Sequence, residues 1–421
     1  MTTEQVTEQL TGDALEAAVV HERLRERHAA AVMQTYGPAA MSFVRGQGTA
    51  LFDGAGRAHL DFLSGLGVTS LGHAHPAVTV AATAQLRQLV HVSNLYLTEP
   101  AIELAEKLQQ VTGWFDARTF FANCGATANE AAIKLARRHG LRQHAGKVRV
   151  VTLEGSFHGR TLATLEATGQ PAKHTPFEPL AGFVDTVAFD DAAALRAAVT
   201  DDTCAVLLEV VQGEGGVRPV PDDVLVAARQ ACDAHGALLI VDEVQTGIGR
   251  TGAWFAFQQA PVTPDVITVA KALANGLPIG ACIARGAAAT ALEPGEHATT
   301  FGGNPVTAAA ALAVLRTIGE QGILDNVVAR SAQIRDGVDA MIGVEPLVTG
   351  TRGRGLLLAV TLDAPVARQV EQACADRRLL VNAVAPDALR LAPPLVVSAD
   401  EVSLALTAIT EAVRAVAEAQ A

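Results

Sequence analysis

The five cysteines of this 421-residue chain, Cys124, Cys204, Cys232, Cys282 and Cys374, are odd in number, widely scattered and never spaced C-x-x-C. This excludes a disulfide framework and a structural zinc site, and predicts reduced thiols in a cytoplasmic protein. Positive charge is also scarce: 32 Lys and Arg against 44 Asp and Glu leave a net charge of −12, with no local basic stripe. Such a surface repels phosphate backbones and anionic lipid headgroups, so neither nucleic acid nor a membrane is an expected partner. No run of about 18 apolar residues escapes a charge, Gly or Pro, so no spanning helix is expected. The first ten residues are polar and acidic, without the basic lead and apolar stretch of an export signal. No G-x-x-x-x-G-K-[ST] loop occurs, and neither a nucleoside triphosphate nor a dinucleotide is an expected ligand. What the chain does have is 49% hydrophobic residues and only 18% charged ones, which predicts a soluble protein folded around a large core.

Residues 4–31 read as an amphipathic helix, with Leu10, Leu15, Val19, Val20 and Leu24 opposite a charged face. From about Asp61 to Pro305 short apolar runs alternate with helical stretches. The runs are Arg118 to Ala122, Val148 to Leu153, Cys204 to Leu208, Ala237 to Val241 and Asp265 to Ala270. Helices are expected from Ala126 to Arg138, stopped by Gly140, and from Asp222 to His235, stopped by Gly236. Apolar strands alternating with helices predict an α/β fold with a mostly parallel central sheet, flanked by helices, whose ligands gather at the carboxyl ends of the strands. After Pro305 a long Ala-rich helix, short strands around 355–362 and 379–384 and a closing helix from Asp400 predict a smaller α+β domain. The expected division is an N-terminal helix and segment packing on the small domain (1–60), a large domain (61–305) and the small domain (306–421).

Three constellations carry chemistry. Phe120-Phe121-Ala122-Asn123-Cys124-Gly125-Ala126 runs a strand into a tight turn and a helix start, which is an anion site, although many such turns bind nothing. Cys124 fits a small turn residue better than a nucleophile, because no base is fixed near it in sequence. Asp242 ends the apolar run from Ala237 and needs a cationic partner if it is buried there; a turn or capping acid is the alternative. Lys271 ends the run from Asp265, where burial lowers an amine's pKa as Schiff-base chemistry requires; a snorkelling lysine is the alternative. An anion anchor, an acid and a lysine on neighbouring strand ends together match what pyridoxal 5'-phosphate asks of a protein.

From Tyr36 onward the chain resembles the class III, ornithine-type, pyridoxal phosphate-dependent aminotransferases, and among them most closely those acting on acetylornithine. The residues that carry the resemblance are Gly72-His73-Ala74-His75-Pro76, Asn123 to Ala132, Phe157-His158-Gly159-Arg160-Thr161 and Gln212-Gly213-Glu214-Gly215-Gly216. With them go Val241 to Gly247, Ala270-Lys271, Thr300 to Pro305 and Arg390 to Leu395. The resemblance implies a fold type I homodimer with shared active sites. It implies Lys271 as the lysine that bonds the cofactor and carries the proton, and Asp242 as the partner of the pyridine nitrogen. Phe157 and Val244 would cover the two ring faces, Gln245 the phenolic oxygen, and Gly125 and Ala126 the phosphate, with Thr300 arriving from the partner subunit. Arg160 and Arg390 would hold the substrate carboxylates, with Glu214 pairing Arg390 in the absence of glutamate and Tyr36 and Leu66 near the substrate. The implied reaction moves the terminal amino group of N2-acetyl-L-ornithine to 2-oxoglutarate in arginine biosynthesis. Succinylornithine, succinyldiaminopimelate, ornithine and 4-aminobutyrate are the alternative donors. Leu66 stands where ornithine-specific relatives carry a tyrosine. Cys124, Thr127, Val210, Thr69 and Ala272 to Asn275 also depart from the family pattern, none at a catalytic position.

A rival reading starts from His73 and His75, an H-x-H that in metal-dependent hydrolases puts two imidazoles on one metal. No further histidine cluster of ligand spacing follows, so no metal is expected. A non-catalytic pyridoxal-binding relative is a further alternative.

Overall fold

A computed structural model describes residues 3–420, with side chains from residue 17 onward. The centre is a seven-stranded sheet in the order Arg118–Ala122, Gly280–Ala284, Val266–Val269, Leu238–Asp242, Thr203–Leu208, Arg149–Leu153, Val184–Val187. Only Gly280–Ala284 runs antiparallel to both its neighbours; the other six strands share one direction. The strands Thr203–Leu208, Leu238–Asp242 and Val266–Val269 are buried along their whole length. That is why they read as continuous apolar runs rather than alternating ones.

Helices cover the sheet with their apolar stripes. Asp222–His235 buries Val224, Leu225, Ala228, Ala231 and Cys232, and ends at Gly236, whose φ of 64° makes the left-handed cap. Gly140 behaves differently from the sequence expectation. The helix that begins at Gly125 continues through Gly140 to Leu141. Here glycine serves packing and not termination: a Cβ on Gly140 would stand 2.3 Å from the Lys147 carbonyl oxygen and 2.9 Å from Cys204 Cβ. Strand ends shift by a residue or two from the apolar runs, as for Val266–Val269 within Asp265 to Ala270.

The C-terminal part forms a second sheet, Val348–Arg354, Leu357–Leu362, Ala388–Leu391 and Asn382–Ala385, preceded by the helices Pro305–Glu320 and Ile323–Asp339 and followed by the helix Ala399–Gln420. A third sheet joins Phe43–Gln47, Ala50–Asp53 and Ala58–Asp61 to Leu379–Leu380, so the N-terminal segment is hydrogen-bonded to the C-terminal part. The N-terminal helix spans Thr3–Ala31. In it Ala17 is buried and Val19 exposed, while Leu10 and Leu15 lie outside the described side chains. Among the described residues no helix is long and apolar enough to cross a membrane. Among the described residues one apolar cluster runs from Phe62 to Val416, and a second, from Ala131 to Ala291, includes Ile133, Leu207 and Ile240.

The backbone approach at Gly140 yields a direct test. Gly140→Ala should lower unfolding stability by about 1–3 kcal/mol despite alanine's better helix propensity, because neither the Lys147 carbonyl nor the strand beneath can retreat. Urea denaturation of the purified variant against wild type measures it.

Candidate active site

Five sheet strands deliver their following residues to one cavity. Asn123 to Ala126 follow Arg118–Ala122, Phe157 to Arg160 follow Arg149–Leu153, and Glu209 follows Thr203–Leu208; Asp242 closes Leu238–Asp242, and Ala270-Lys271 follow Val266–Val269. Val244, Gln245 and Glu214 complete the same walls. The carboxyl ends of parallel strands all face one edge of the sheet, and side chains distant in sequence meet there.

The helix start at Gly125 is built by its own sequence. Thr127 Oγ1 accepts from the N–H groups of Asn123 (3.0 Å) and Cys124 (3.1 Å), so the two departures Cys124 and Thr127 form one cap. Gly125 and Ala126, whose N–H groups have no acceptor within the helix, line the cavity. Lys271 begins a short 3-10 turn with φ 43°, a left-handed backbone that a lysine adopts only where its surroundings force it. Among the described residues its amine has no hydrogen-bond or ion-pair partner. Burial lowers its pKa from the usual 10.5, with Glu214 opposing and Arg390 adding to that effect. Asn275, in the departing stretch after Lys271, pins the turn: its side chain accepts from Leu71 N (2.8 Å) and donates to Gly72 O (2.9 Å).

Asp242 is buried and receives three hydrogen bonds. Its Oδ2 is 2.7 Å from Asn129 Nδ2 and 2.8 Å from His158 Nδ1, and its Oδ1 accepts from Val244 N at 2.9 Å. Asn129 in turn accepts from Thr268 Oγ1 (2.7 Å) and donates to the His158 carbonyl (2.8 Å). Asn129, His158 and Thr268 were given no role from sequence. Each sits within or beside a motif, yet nothing in their spacing says that they share one carboxylate.

The charged end of the cavity is organised by Arg390, 1% exposed. It donates to Glu214 Oε1 (2.5 Å), Asn382 Oδ1 (2.8 Å), Gly213 O (3.3 Å) and Gln245 Oε1 (3.4 Å). Burial works to raise the Glu214 carboxyl, but Arg390 outweighs it and holds the group below its usual 4.5. A Cβ on Gly213 would fall 1.6 Å from Gln245 Oε1 and displace that side chain from its place beside Arg390. Glu209, also missed in the sequence, accepts from Phe157 N (3.1 Å) and Gly213 N (3.2 Å) and so ties together the two loops that carry Arg160 and Glu214. Burial pushes Glu209 up to about 7, with His158 opposing and Asp242 reinforcing. Arg160 lies at the cavity with its guanidinium 5.7 Å from the Phe157 ring centre.

Three expected residues are elsewhere. Tyr36 is 88% exposed, Leu66 is exposed with φ 70°, and Thr300 lines a separate cleft with Asn94, Phe121 and Asn304. The histidine pair of the rival reading is split: His73 Nε2 meets Asp61 Oδ2 at 2.7 Å, whereas His75 precedes the helix Pro76–Gln88. Among the described residues no group of three or more His, Cys, Asp or Glu could hold a metal. The chain does contain one G-x-G-x-x-G, Gly247 to Gly252, but these residues form turns and open no helix, so the feature that binds a dinucleotide pyrophosphate is missing.

An unpaired, half-buried lysine, a helix start free to hold a phosphate and a carboxylate fixed at the next strand end fit pyridoxal phosphate, and they define a pyridoxal phosphate-dependent α/β enzyme. The chain belongs to the class III aminotransferases: the family described as "Aminotransferase class-III" matches residues 31–413. It is 49% identical over 390 residues to the acetylornithine aminotransferase of Streptomyces coelicolor, covering 92% of this chain and 95% of that protein. It is 50% identical over 377 residues to the acetylornithine aminotransferase of Mycobacterium tuberculosis H37Rv, covering 89% and 92%. Among solved structures it is similar to the ornithine aminotransferase of Toxoplasma gondii, with TM-score 0.90, 30% identity and 94% and 96% of the two chains covered. It is also similar to the N-acetylornithine aminotransferase of Stenotrophomonas maltophilia, with TM-score 0.80, 34% identity and 94% and 99% covered. The expectations of an aminotransferase, of its cofactor and of the fold class therefore stand.

The acid next to Asp242 makes a pH prediction. Glu243 is buried, accepting from Thr246 Oγ1 (2.5 Å) and Phe257 N (2.8 Å), and burial pushes its carboxyl up to about 7 from the usual 4.5. The folded chain then keeps this proton where the unfolded chain has lost it, so the group costs stability as pH rises from 4.5 towards 7. Glu243→Gln removes that titration. Its stability relative to wild type should improve by roughly 1–3 kcal/mol across this interval, measured by denaturation at a series of pH values.

Proposed function

We propose that this enzyme transfers the terminal amino group of N2-acetyl-L-ornithine to 2-oxoglutarate, giving N-acetylglutamate 5-semialdehyde and glutamate, in the cytoplasm. The observation that carries this reading is the pairing of an available arginine, Arg160, with a buried one, Arg390, already neutralised by Glu214. An ω-amine donor with one carboxylate needs one arginine, whereas glutamate and 2-oxoglutarate need two. Opening the Glu214–Arg390 pair supplies the second only when a dicarboxylate is present. The names of the relatives at 46–50% identity support the same donor.

Pyridoxal phosphate, when bound, would supply an aldehyde carbon to receive the amino group and a ring able to withdraw electrons from the substrate's C–H bond. The chain's own residues do the rest. Asp242, oriented by Asn129, His158 and the Val244 N–H, would hold a proton on the ring nitrogen, and Gly125 and Ala126 would hold the phosphate. Phe157 and Val244 would confine the ring, with Gln245 serving its phenolic oxygen. Lys271, made a free amine more readily by its burial, would carry the proton from the substrate carbon. Arg160 receives the α-carboxylate of acetylornithine in one half-reaction and the side-chain carboxylate of glutamate in the other.

A homodimer completes the site in this reading. Thr300, Tyr36 and Leu66 stand away from their own chain's cavity; Leu97, in the cleft with Thr300, is 90% exposed, and Leu95 and Phe301, in the same two loop segments, are 84% and 62% exposed. A second copy covering this apolar face would bring Thr300 to the partner's phosphate.

Lys271→Ala should abolish turnover while the chain stays folded, and borohydride reduction followed by peptide mapping should find the cofactor on Lys271 in wild type and nowhere in the variant. Asp242→Asn should keep the cofactor but slow the half-reaction by several kcal/mol of barrier, roughly a thousandfold, since an amide cannot hold the ring proton by charge. Single-turnover absorbance traces read that loss. The substrate is tested by half-reactions with acetylornithine, ornithine and 4-aminobutyrate at equal concentration. Acetylornithine should convert the cofactor fastest; faster conversion by either of the others overturns the donor, and conversion by none overturns the catalytic assignment.

A further inference from the structure

Lys173, beside the cavity wall, is a cation to which neither the sequence motifs nor the proposed reaction gives a task. It lies in the short helix Pro171–His174 with its Nζ 5.8 Å from the centre of the Phe157 ring, the same ring that Arg160 approaches at 5.7 Å. The side chain is held in place rather than left to solvent. Gln170 donates its amide N–H groups to the carbonyls of Gly155 (3.2 Å) and Ser156 (3.1 Å), which turns its oxygen towards Lys173, and the ammonium donates to that oxygen. Among the described residues Lys173 meets no carboxylate within ion-pair distance, and Arg160 makes neither an ion pair nor a side-chain hydrogen bond. Two cations without a carboxylate partner, Lys173 and Arg160, therefore approach one aromatic ring of the cavity wall. Burial lowers the Lys173 pKa from 10.5, the neighbouring charge of Arg160 acts in the same direction, and Glu214 opposes both. An anion between the two cations relieves their repulsion, and the proposed substrates bring one there.

We infer that Lys173 is a second cation of the carboxylate subsite, acting with Arg160 to select donors and acceptors whose chain ends in a carboxylate. The inference rests on the reading that Arg160 receives that carboxylate. The guanidinium supplies the planar two-bond grip and the ammonium adds a point charge from the side of the ring, so Lys173 sets affinity and discrimination and takes no part in proton transfer.

The test compares cofactor-loaded wild type, Lys173→Met and Lys173→Arg. Half-reactions with N-acetylornithine and with its α-carboxamide, which lacks the charge, give the ratio of kcat/KM for acid over amide. In Lys173→Met this ratio should fall about tenfold through KM, with the rate at saturation nearly unchanged, the size expected for one charge-assisted contact. Calorimetric binding of glutarate, an unreactive dicarboxylate, should weaken by a similar factor, whereas Lys173→Arg should stay within about threefold of wild type on both measures. An unchanged ratio, or equal losses with acid and amide, overturns the inference. Failure of wild type to convert N-acetylornithine overturns the donor assignment instead, and glutarate binding still decides the role of Lys173.

Discussion

The Asp242 carboxylate is the constraint on which the rest of the site depends. A charge at the end of a fully buried strand is costly unless its oxygens are met by donors, and three donors meet it here. The Val244 N–H follows the strand directly, but the other two donors come from elsewhere in the chain. Asn129 is on the helix whose first residues are Gly125 and Ala126, His158 is in the loop that carries Phe157 and Arg160, and Thr268, which orients Asn129, is on the strand that leads into Lys271. Satisfying one acid therefore fixes the register of the helix that starts at Gly125, the loop with Phe157 and the turn at Lys271 against one another. The ring of contacts is fully bonded on the side of the acid, and a partly satisfied version would be worse than an apolar one.

A second buried carboxylate extends the same logic to the substrate end. Glu209 grips the backbone N–H of Phe157 with one oxygen and that of Gly213 with the other. The loop with Arg160 and the loop with Glu214 are thus held at a set separation, and Arg390 reaches the second loop from the C-terminal sheet through both Glu214 and the Gly213 carbonyl. The pair Arg390–Glu214 is a charge contact between the sheet that holds the cofactor residues and the sheet that closes over them. Within the pair Glu214 remains partly exposed while Arg390 does not.

Glycine carries three separate jobs in this chain, and composition does not distinguish them. Gly236 ends a helix by its left-handed backbone, Gly140 lets a helix pass against a neighbouring carbonyl, and Gly213 makes room for Gln245. A glycine at a plausible helix end looks the same in each case, which is why the helix from Gly125 runs past its expected stop. The G-x-G-x-x-G at Gly247 to Gly252 makes the same point for a motif: the letters occur, but the strand-to-helix setting that gives them a ligand does not.

The alternation of apolar runs with helices was enough, from sequence alone, to establish a mostly parallel sheet, because strands buried on both faces admit few polar positions. The same rule put Asp242 and Lys271 at strand ends, where a carboxylate and an amine are conspicuous against apolar neighbours. Motif resemblance then supplied the family and its cofactor. Only the tertiary structure decided who shares the carboxylate: Asn129, His158 and Thr268 are 113, 84 and 26 residues from Asp242 or linked to it through one another, and no local periodicity relates them. Glu209 and Lys173 were silent for the same reason, since an acid after one strand and a lysine in a four-residue helix acquire meaning only from what the fold packs beside them. Local order is written in the spacing of apolar side chains, whereas a site is made of polar groups whose partners are chosen by chain crossing, and that choice appears only when the strands are set side by side.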